Sequence, residues 1–223
     1  LLSRGLGDVY KRQVQHGDVV FKIRGASRSL LSAERLVLNV MQRMSAIATL
    51  TNKFVQEISG LNTKILDTRK TTPLLRFIEK KAVLIGGGDN HRMGLYDMIM
   101  IKDNHIDFAG NIEKTIRQTK NYLKENNLDL KIEIETRNLA EVNQVISVGG
   151  VDRIMLDNFS FEDLRKAVKL INGKFETEAS GGIKLETVRK YAECGVDFIS
   201  IGAITHSVKN MDLSLKAVHE KTN

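Results

Sequence analysis

Short runs of aliphatic and β-branched residues recur along the chain, separated by longer stretches with helical periodicity. The runs predict six β-strands, at 65–66, 98–101, 132–134, 153–156, 175–178 and 198–201. The stretches between them predict helices, at 72–81, 109–126, 137–148, 160–172 and 184–194. The first of these helices is expected to begin at Thr72 and Pro73, since proline is favoured at the first helical position. Alternation of strand and helix indicates parallel strands joined by right-handed crossovers.

A short polar segment follows each predicted strand at once. These segments are 67–70, 102–105, 135–136, 157–158, 180–182 and 202–203. The carboxyl ends of parallel strands meet at one rim of a β/α barrel, or at the crevice of an open doubly wound sheet. Because six strands are predicted rather than eight, we expect an α/β fold containing an irregular, incomplete parallel β/α barrel.

The first 60 residues follow a different pattern. Residues 1–13 carry no periodicity and no apolar core of the kind a signal peptide needs, so we interpret them as a non-native or disordered leader. Residues 19–23 predict one strand, and a long helix follows with Ser32 as its expected N-cap. One strand does not make a sheet. We therefore assign 14–60 to a remnant of an N-terminal α+β sheet domain with its connecting helix, and 61–223 to the barrel.

Composition narrows the classes of function. No apolar stretch approaches the roughly 20 residues that cross a bilayer, so no membrane span is expected. The single cysteine, Cys194, excludes an internal disulfide framework and favours a reducing compartment such as the cytoplasm. The net charge of +7 predicts anionic partners. Nucleic acid is disfavoured because the chain has no tryptophan, 5% aromatic residues and no dense basic run, which leaves small anionic substrates.

Cationic side chains follow two of the predicted strands or lie in the loop between them. Arg69 and Lys70 follow one strand, Lys102 follows the next, and His91 and Arg92 lie in the intervening loop. An aromatic dicarboxylate needs planar, two-pronged partners, which arginine supplies better than lysine. These residues therefore predict a site for such an anion. The alternative is that they are solvated surface charges.

Three acidic residues lie within or at the end of predicted strands. Glu133 and Glu135 alternate with isoleucines, so both point to one face, and Asp157 ends another strand. Buried carboxylates are costly unless a metal, a cation or a hydroxyl group binds them. Mg²⁺ and ribose hydroxyls would both satisfy them. The alternative is a structural ion pair with Lys70 or Lys102.

Small residues follow the last two strands. Ser180, Gly181 and Gly182 form one turn, and Gly202 begins another. Glycines let backbone N–H groups approach a phosphate, and a phosphate site after the last two strands recurs in barrels. His206 lies close enough to Gly202 to reach the same phosphate. The alternatives are ordinary tight turns and a structural histidine.

Eight segments, in order along the chain, resemble motifs of the quinolinate phosphoribosyltransferase family, also called nicotinate-nucleotide pyrophosphorylase (carboxylating). They are 34–39, 45–49, 67–71, 91–95, 100–105, 155–159, 178–183 and 202–207. The similarity runs from about Gly17 to the C-terminus. Ala46 departs from the family pattern, which has glycine there.

The resemblance implies a Mg²⁺-dependent reaction: quinolinate and phosphoribosyl pyrophosphate give nicotinate mononucleotide, pyrophosphate and CO₂. It also implies an irregular α/β barrel that follows an N-terminal sheet-containing domain, of which this chain would retain only a part. A related phosphoribosyltransferase that does not decarboxylate its product is one alternative. An inactive or ligand-binding fragment of the same fold is another.

The resemblance also implies a role for each matched residue. The quinolinate carboxylates would be bound by Arg69, His91, Arg92 and Lys102. The catalytic residues facing the ribose and pyrophosphate would be Lys70, Glu135 and Asp157, with the two acids as metal ligands. The phosphates would be bound by Ser180, Gly181, Gly202 and His206. Arg35 would reach a neighbouring subunit's site, which implies a homodimer with shared active sites.

Overall fold

The computed structural model describes residues 13–218, so the expected leader at 1–13 lies almost wholly outside the described residues. The described strands are β1 (Lys64–Leu66), β2 (Ile99–Ile101), β3 (Ile132–Thr136), β4 (Arg153–Asp157), β5 (Glu176–Ser180) and β6 (Phe198–Ser200). The described helices are α1 (Ser27–Glu57), α2 (Arg76–Ile85), α3 (Asp103–Ala109), α4 (Ile112–Glu125), α5 (Leu139–Val148), α6 (Phe161–Ile171), α7 (Leu185–Ala192) and α8 (Ala203–His206). No helix within residues 13–218 is long and apolar enough to cross a membrane.

The six strands form one parallel sheet in the order β1-β6-β5-β4-β3-β2. The sheet stays open between β1 and β2. On one side of this opening, Leu66 of β1 forms a single parallel bridge with Asp89. On the other side, the Arg92 guanidinium donates to the carbonyl of Met98, just before β2, at 3.1 Å. The expectation of an incomplete parallel barrel is therefore confirmed.

The two faces of the sheet differ in polarity because successive side chains of a strand point to opposite faces. One face carries aliphatic side chains that pack with the helices in a single core. These strand residues are Ile132, Ile134, Ile154, Leu156, Ala179 and Ile199. The opposite face carries Glu133, Arg153 and Glu178, of which the two glutamates are fully buried. The inner face of the barrel therefore carries buried charged groups, and the aliphatic core lies between sheet and helices.

A buried ion pair fixes the segment that lines the opening. Lys80 of α2 and Asp67, just after β1, are both fully buried and paired. Lys80 Nζ also donates to the His91 carbonyl at 2.9 Å, and His91 N–H donates to Asp67 Oδ1 at 2.8 Å. Burial raises the pKa of Asp67 and lowers the pKa of Lys80, although each charge opposes the shift of the other. Burial of the two charges is costly, and both their contact and their hydrogen bonds to the loop oppose that cost.

The N-terminal elements differ from the prediction. Residues 19–23 form no strand, so that expectation was wrong, and the described chain gives this segment no strand to pair with. Helix α1 begins at Ser27 rather than at Ser32. The Ser32 hydroxyl donates instead to the Arg28 carbonyl at 2.8 Å inside the helix.

Two predicted helices also have different bounds, for local backbone reasons. Helix α2 begins at Arg76, because Leu74 adopts a left-handed conformation (φ 66°) that no helix accommodates, so the expected start at Pro73 was wrong. The predicted helix at 109–126 is interrupted at Gly110, whose φ is 104°. A new helix then begins after Asn111, whose side chain accepts from the Lys114 N–H at 2.8 Å.

We expect Leu74→Gly to stabilise the chain. The Leu74 side chain is fully exposed, so its removal loses no packing, and glycine adopts a positive φ without steric cost. The expected gain is about 0.5–1 kcal/mol in the free energy of unfolding, measured by urea denaturation. Leu36→Gly, at an exposed position inside α1, is the control and should lose about 1 kcal/mol. Equal losses in both variants would contradict the strain at Leu74.

We expect Lys80→Met to destabilise the chain by about 3–5 kcal/mol, because it leaves the buried Asp67 carboxylate without its cation. Urea denaturation measures the loss. The matched control is Lys64→Met, which removes a lysine from an exposed pair with Asp89 at 3.2 Å. That pair should contribute no more than about 1 kcal/mol. Similar small losses in both variants would show that the buried pair does not hold the segment.

Candidate active site

The rim formed by the carboxyl ends of the strands brings Lys70, Gly202 and His206 together. The Thr205 hydroxyl donates to the Lys70 carbonyl at 2.8 Å, which joins the loop after β1 to the turn after β6. A Cβ added to Gly202 would lie 3.0 Å from both Lys70 Cδ and His206 Cδ2. A larger residue here would have to displace one or both of these side chains by a few tenths of an ångström. The result is an exposed position where a cation, an imidazole and a glycine backbone lie close together.

A second group joins the turns after β4 and β5. Asn158 N–H donates to the Ser180 carbonyl at 2.8 Å, and its side-chain nitrogen donates to Asp157 Oδ2 at 2.6 Å. Gly181 has a φ of 99°, and a Cβ there would lie 2.2 Å from Asn158 Oδ1. Only glycine allows this close packing of the two turns. Asp157, Ser180 and Gly181 were predicted site residues, whereas Asn158, which links them, had no predicted role.

Lys102 and Glu135 form the third group. Lys102 Nζ lies 2.7 Å from Glu135 Oε2, and the Lys102 side chain is about half exposed. The structural ion pair considered as the alternative for Glu135 is therefore present. Because exposed ion pairs contribute little to stability, this pair remains available to ligands.

Arg69 and Arg92 both lie on the segment that joins β1 to β2. Burial, followed by the positive charge of Arg69, lowers the pKa of Arg92. Arg69 is exposed, whereas Arg92 is half-buried and anchored to the Met98 carbonyl. Two neighbouring guanidinium groups repel each other, and an anion bound between them would relieve that repulsion. This arrangement favours a planar anion that both groups can contact.

His91 is buried, and each of its ring nitrogens lies close to a polar group of the protein. Nδ1 accepts from the Arg92 N–H at 2.7 Å. Nε2 lies 3.0 Å from Glu133 Oε2 and 3.4 Å from Glu178 Oε2. Burial lowers the pKa of His91 and the two carboxylates raise it, whereas the Arg92 N–H needs an unprotonated Nδ1 and so opposes the rise. A direct contact between this ring and a substrate stays a prediction.

Charged groups of the barrel interior surround His91. Arg153 Nη1 lies 3.0 Å from Glu178 Oε2, and its guanidinium stacks over Phe198 at 3.9 Å from the ring centroid. Burial, with the charge of Glu178, raises the pKa of Glu133 to about 7. Arg153 and Glu178 were not among the residues predicted for the site. The alternation of Glu176 and Glu178 along β5, which mirrors that of Glu133 and Glu135, is the signal that could have found Glu178.

Arg35 is not part of these groups. It is exposed in the N-terminal half of α1. Further along the same helix, Arg43 contacts the rim region instead, donating to the Thr205 carbonyl and to Glu79 Oε1, the latter at 2.9 Å. The expected role of Arg35 in a neighbouring subunit stays a prediction.

The carboxylates of Glu135 and Asp157 fit the requirements of Mg²⁺. They lie at or near the ends of the neighbouring strands β3 and β4, and both are partly exposed at the rim. Mg²⁺ takes oxygen ligands and is commonly bound by one or two carboxylates together with substrate phosphates. The donor set is therefore suitable for the ion beside a bound phosphate.

Comparisons with known proteins agree with this geometry. Residues 47–216 match the C-terminal domain of quinolinate phosphoribosyl transferase, and residues 11–45 match its N-terminal domain. Quinolinate phosphoribosyltransferase [decarboxylating] 1b of Nicotiana tabacum is 51% identical over 209 residues, which cover 87% of this chain and 59% of the tobacco protein. The probable nicotinate-nucleotide pyrophosphorylase [carboxylating] of Bacillus subtilis is 46% identical over 202 residues, covering 89% of this chain and 68% of the relative.

The fold agrees with a solved structure as well. The crystal structure of NadC from Streptococcus pyogenes superposes with a TM-score of 0.85 at 43% identity, over 90% of this chain and 69% of that one. The matches to sequence and to structure thus cover the same barrel and the same rim. The chain therefore belongs to the quinolinate phosphoribosyl transferase family.

Proposed function

We propose that this chain transfers the phosphoribosyl group of phosphoribosyl pyrophosphate to quinolinate, with loss of CO₂, in NAD biosynthesis. The products are nicotinate mononucleotide, pyrophosphate and CO₂. The observation that carries the proposal is the rim contact among Lys70, Gly202 and His206, with Arg69 next to Lys70 and Arg92 anchored to the Met98 carbonyl. Because the chain spans 59% of the length of the tobacco relative, its activity as a separate polypeptide is part of the proposal.

Quinolinate would bind at Arg69, Arg92 and Lys102. The repulsion between the two guanidinium groups is relieved when a dianion lies between them. Arg92 is already held by the Met98 carbonyl, so less side-chain freedom is lost on binding. Lys102 adds a third cation at the end of β2. A compound with two adjacent carboxylates uses all three, whereas a monocarboxylate cannot.

Phosphoribosyl pyrophosphate would bind along the remainder of the rim. Lys70 and His206 offer charge and hydrogen bonds to one phosphate, beside the backbone of Gly202. Ser180 and Gly181 offer a hydroxyl group and a backbone turn to another. Glu135 and Asp157 would hold Mg²⁺, which supplies neutralising charge for the pyrophosphate group.

The chemistry follows from where charge develops. The bond between the ribose carbon and the pyrophosphate oxygen breaks, so the sugar carbon gains positive charge and the leaving group keeps the electron pair. Carboxylates at Glu135 and Asp157 stabilise the former, and the Lys70 ammonium stabilises the latter. The pyridine nitrogen then forms the new bond to the sugar carbon. The resulting pyridinium stabilises the carbanion left by loss of the adjacent carboxylate as CO₂, and a proton replaces that carboxylate.

The assembly and location belong to the same proposal. We infer a homodimer in which Arg35 reaches the active site of the partner subunit. Two features support this inference: the Arg35 side chain is exposed, and Arg35 lies further along α1 from the rim than Arg43, which contacts it. The buried free thiol of Cys194 supports a reducing compartment, and we infer the cytoplasm.

We expect Arg92→Ala to weaken quinolinate binding by about 10- to 100-fold, because one or two charge-assisted hydrogen bonds are lost. Binding of phosphoribosyl pyrophosphate should change less than about threefold, since its proposed site lies elsewhere on the rim. Titration calorimetry with each ligand measures both. Arg117→Ala, which removes an exposed arginine of α4, is the control. Equal losses for both ligands would contradict the assignment of Arg92.

We expect this chain to bind quinolinate at least about tenfold more tightly than nicotinate, because the second carboxylate adds contacts with cations. A coupled assay should also detect one CO₂ for each pyrophosphate released. Equal binding and turnover of the two acids would instead indicate a phosphoribosyltransferase that does not decarboxylate. Binding of quinolinate without any release of pyrophosphate would indicate a ligand-binding fragment.

A further inference from the structure

We propose that Glu133 and Glu178 are positioning residues for the dicarboxylate site. They hold the imidazole of His91 from the barrel interior, and the ring in turn fixes the backbone of Arg92. This inference rests on the proposed function and adds two residues to it, neither of which contacts the substrate.

The orientation of the ring follows from its hydrogen bonds. Nδ1 accepts the Arg92 N–H at 2.7 Å, so that nitrogen carries no proton and the ring proton is on Nε2. Nε2 lies between two fully buried carboxylates, at 3.0 Å from Glu133 and 3.4 Å from Glu178. Nε2 has no well-aligned hydrogen bond within residues 13–218, so the two carboxylates act on its N–H through their charge at these distances. On the other side of the ring, Nδ1 holds the backbone of Arg92.

The ring is not needed to fold the segment. The His91 N–H donates to Asp67 at 2.8 Å, and the His91 carbonyl accepts from Lys80 at 2.9 Å, so its backbone is fixed independently. The imidazole adds a constraint one residue further along, at the Arg92 N–H. Together with the bond from the guanidinium to the Met98 carbonyl at 3.1 Å, this fixes Arg92 at both ends. The contribution of the ring is therefore to the orientation of Arg92.

Glu133 is the residue that separates this role from stability. Glu178 also pairs with Arg153 at 3.0 Å. Neither carboxylate oxygen of Glu133, by contrast, has a well-aligned hydrogen bond within residues 13–218. A buried carboxylate without such bonds does not stabilise a fold. The position of the Glu133 carboxylate beside His91 Nε2 is instead explained by its effect on the orientation of the imidazole.

The test is Glu133→Met in the full chain, a change of similar size that removes the carboxylate. We expect the dissociation constant for quinolinate to rise about tenfold, while that for phosphoribosyl pyrophosphate changes less than about threefold. Stability to urea should be unchanged or higher. Hydrogen exchange at the Arg92 amide should become at least about tenfold faster. Glu133→Gln should recover only part of the quinolinate affinity, because its amide oxygen attracts the Nε2 proton without a full negative charge.

Glu141→Met is the matched control, since it removes another buried glutamate, paired with Arg137 at 2.7 Å on α5. It should lower stability and leave quinolinate affinity unchanged. An unchanged quinolinate affinity in Glu133→Met, or equal losses for both ligands, would overturn the positioning role. If the unaltered chain binds no quinolinate, the proposed function fails. Hydrogen exchange at the Arg92 amide of Glu133→Met then decides the positioning role alone. Faster exchange than in the unaltered chain supports this role, and unchanged exchange refutes it.

Discussion

The buried ion pair between Asp67 and Lys80 is the constraint on which the rim depends. Asp67 follows β1, and Lys80 lies on the helix that returns from it, so the pair fixes α2 against the end of the strand. The same two side chains bind the backbone of His91. The side chain of Asn90, with its amide nitrogen turned toward Asp67, donates to Asp67 Oδ2 at 2.7 Å. A segment that would otherwise be a surface loop is thereby held at the opening of the barrel. Arg92 takes its position from that segment.

A polar interior accompanies this arrangement. Aliphatic packing between sheet and helices provides the core, so the inner face is free to carry charged groups. Such groups are costly to bury, and the interior offsets the cost by pairing them: Arg153 with Glu178, and His91 with both glutamates. The pairing is incomplete at Glu133, whose pKa rises to about 7 through burial and the charge of Glu178. That incomplete pairing is unfavourable for folding, which is why a role in orienting the site explains it better than stability does.

Much of the rim could be predicted because strand ends carry a local signal. Short apolar runs predict strands, and charged residues follow directly after them: Arg69 and Lys70, Lys102, and Asp157. Because the strands are parallel, these side chains lie at the same edge of the sheet. Partners from distant segments carry no such signal: Lys80 is thirteen residues from Asp67, and Arg43 reaches a carbonyl at Thr205. The predicted helix start was wrong at Pro73, because the next residue, Leu74, adopts a left-handed backbone conformation. The predicted strand at 19–23 was wrong, because no neighbouring strand of the described chain pairs with it.

The ion pair between Lys102 and Glu135 links the two halves of the proposed site. Under the proposed function, Lys102 belongs to the quinolinate side and Glu135 to the ribose and metal side, yet in this structure they contact each other at 2.7 Å. Each ligand must therefore compete with the partner side chain for its contact. The competition is inexpensive, because a partly exposed pair contributes no more than about 1 kcal/mol. An anion that draws Lys102 away also frees the Glu135 carboxylate for a cation, so occupancy of one half favours occupancy of the other. The same pair keeps both charges partnered when neither ligand is present.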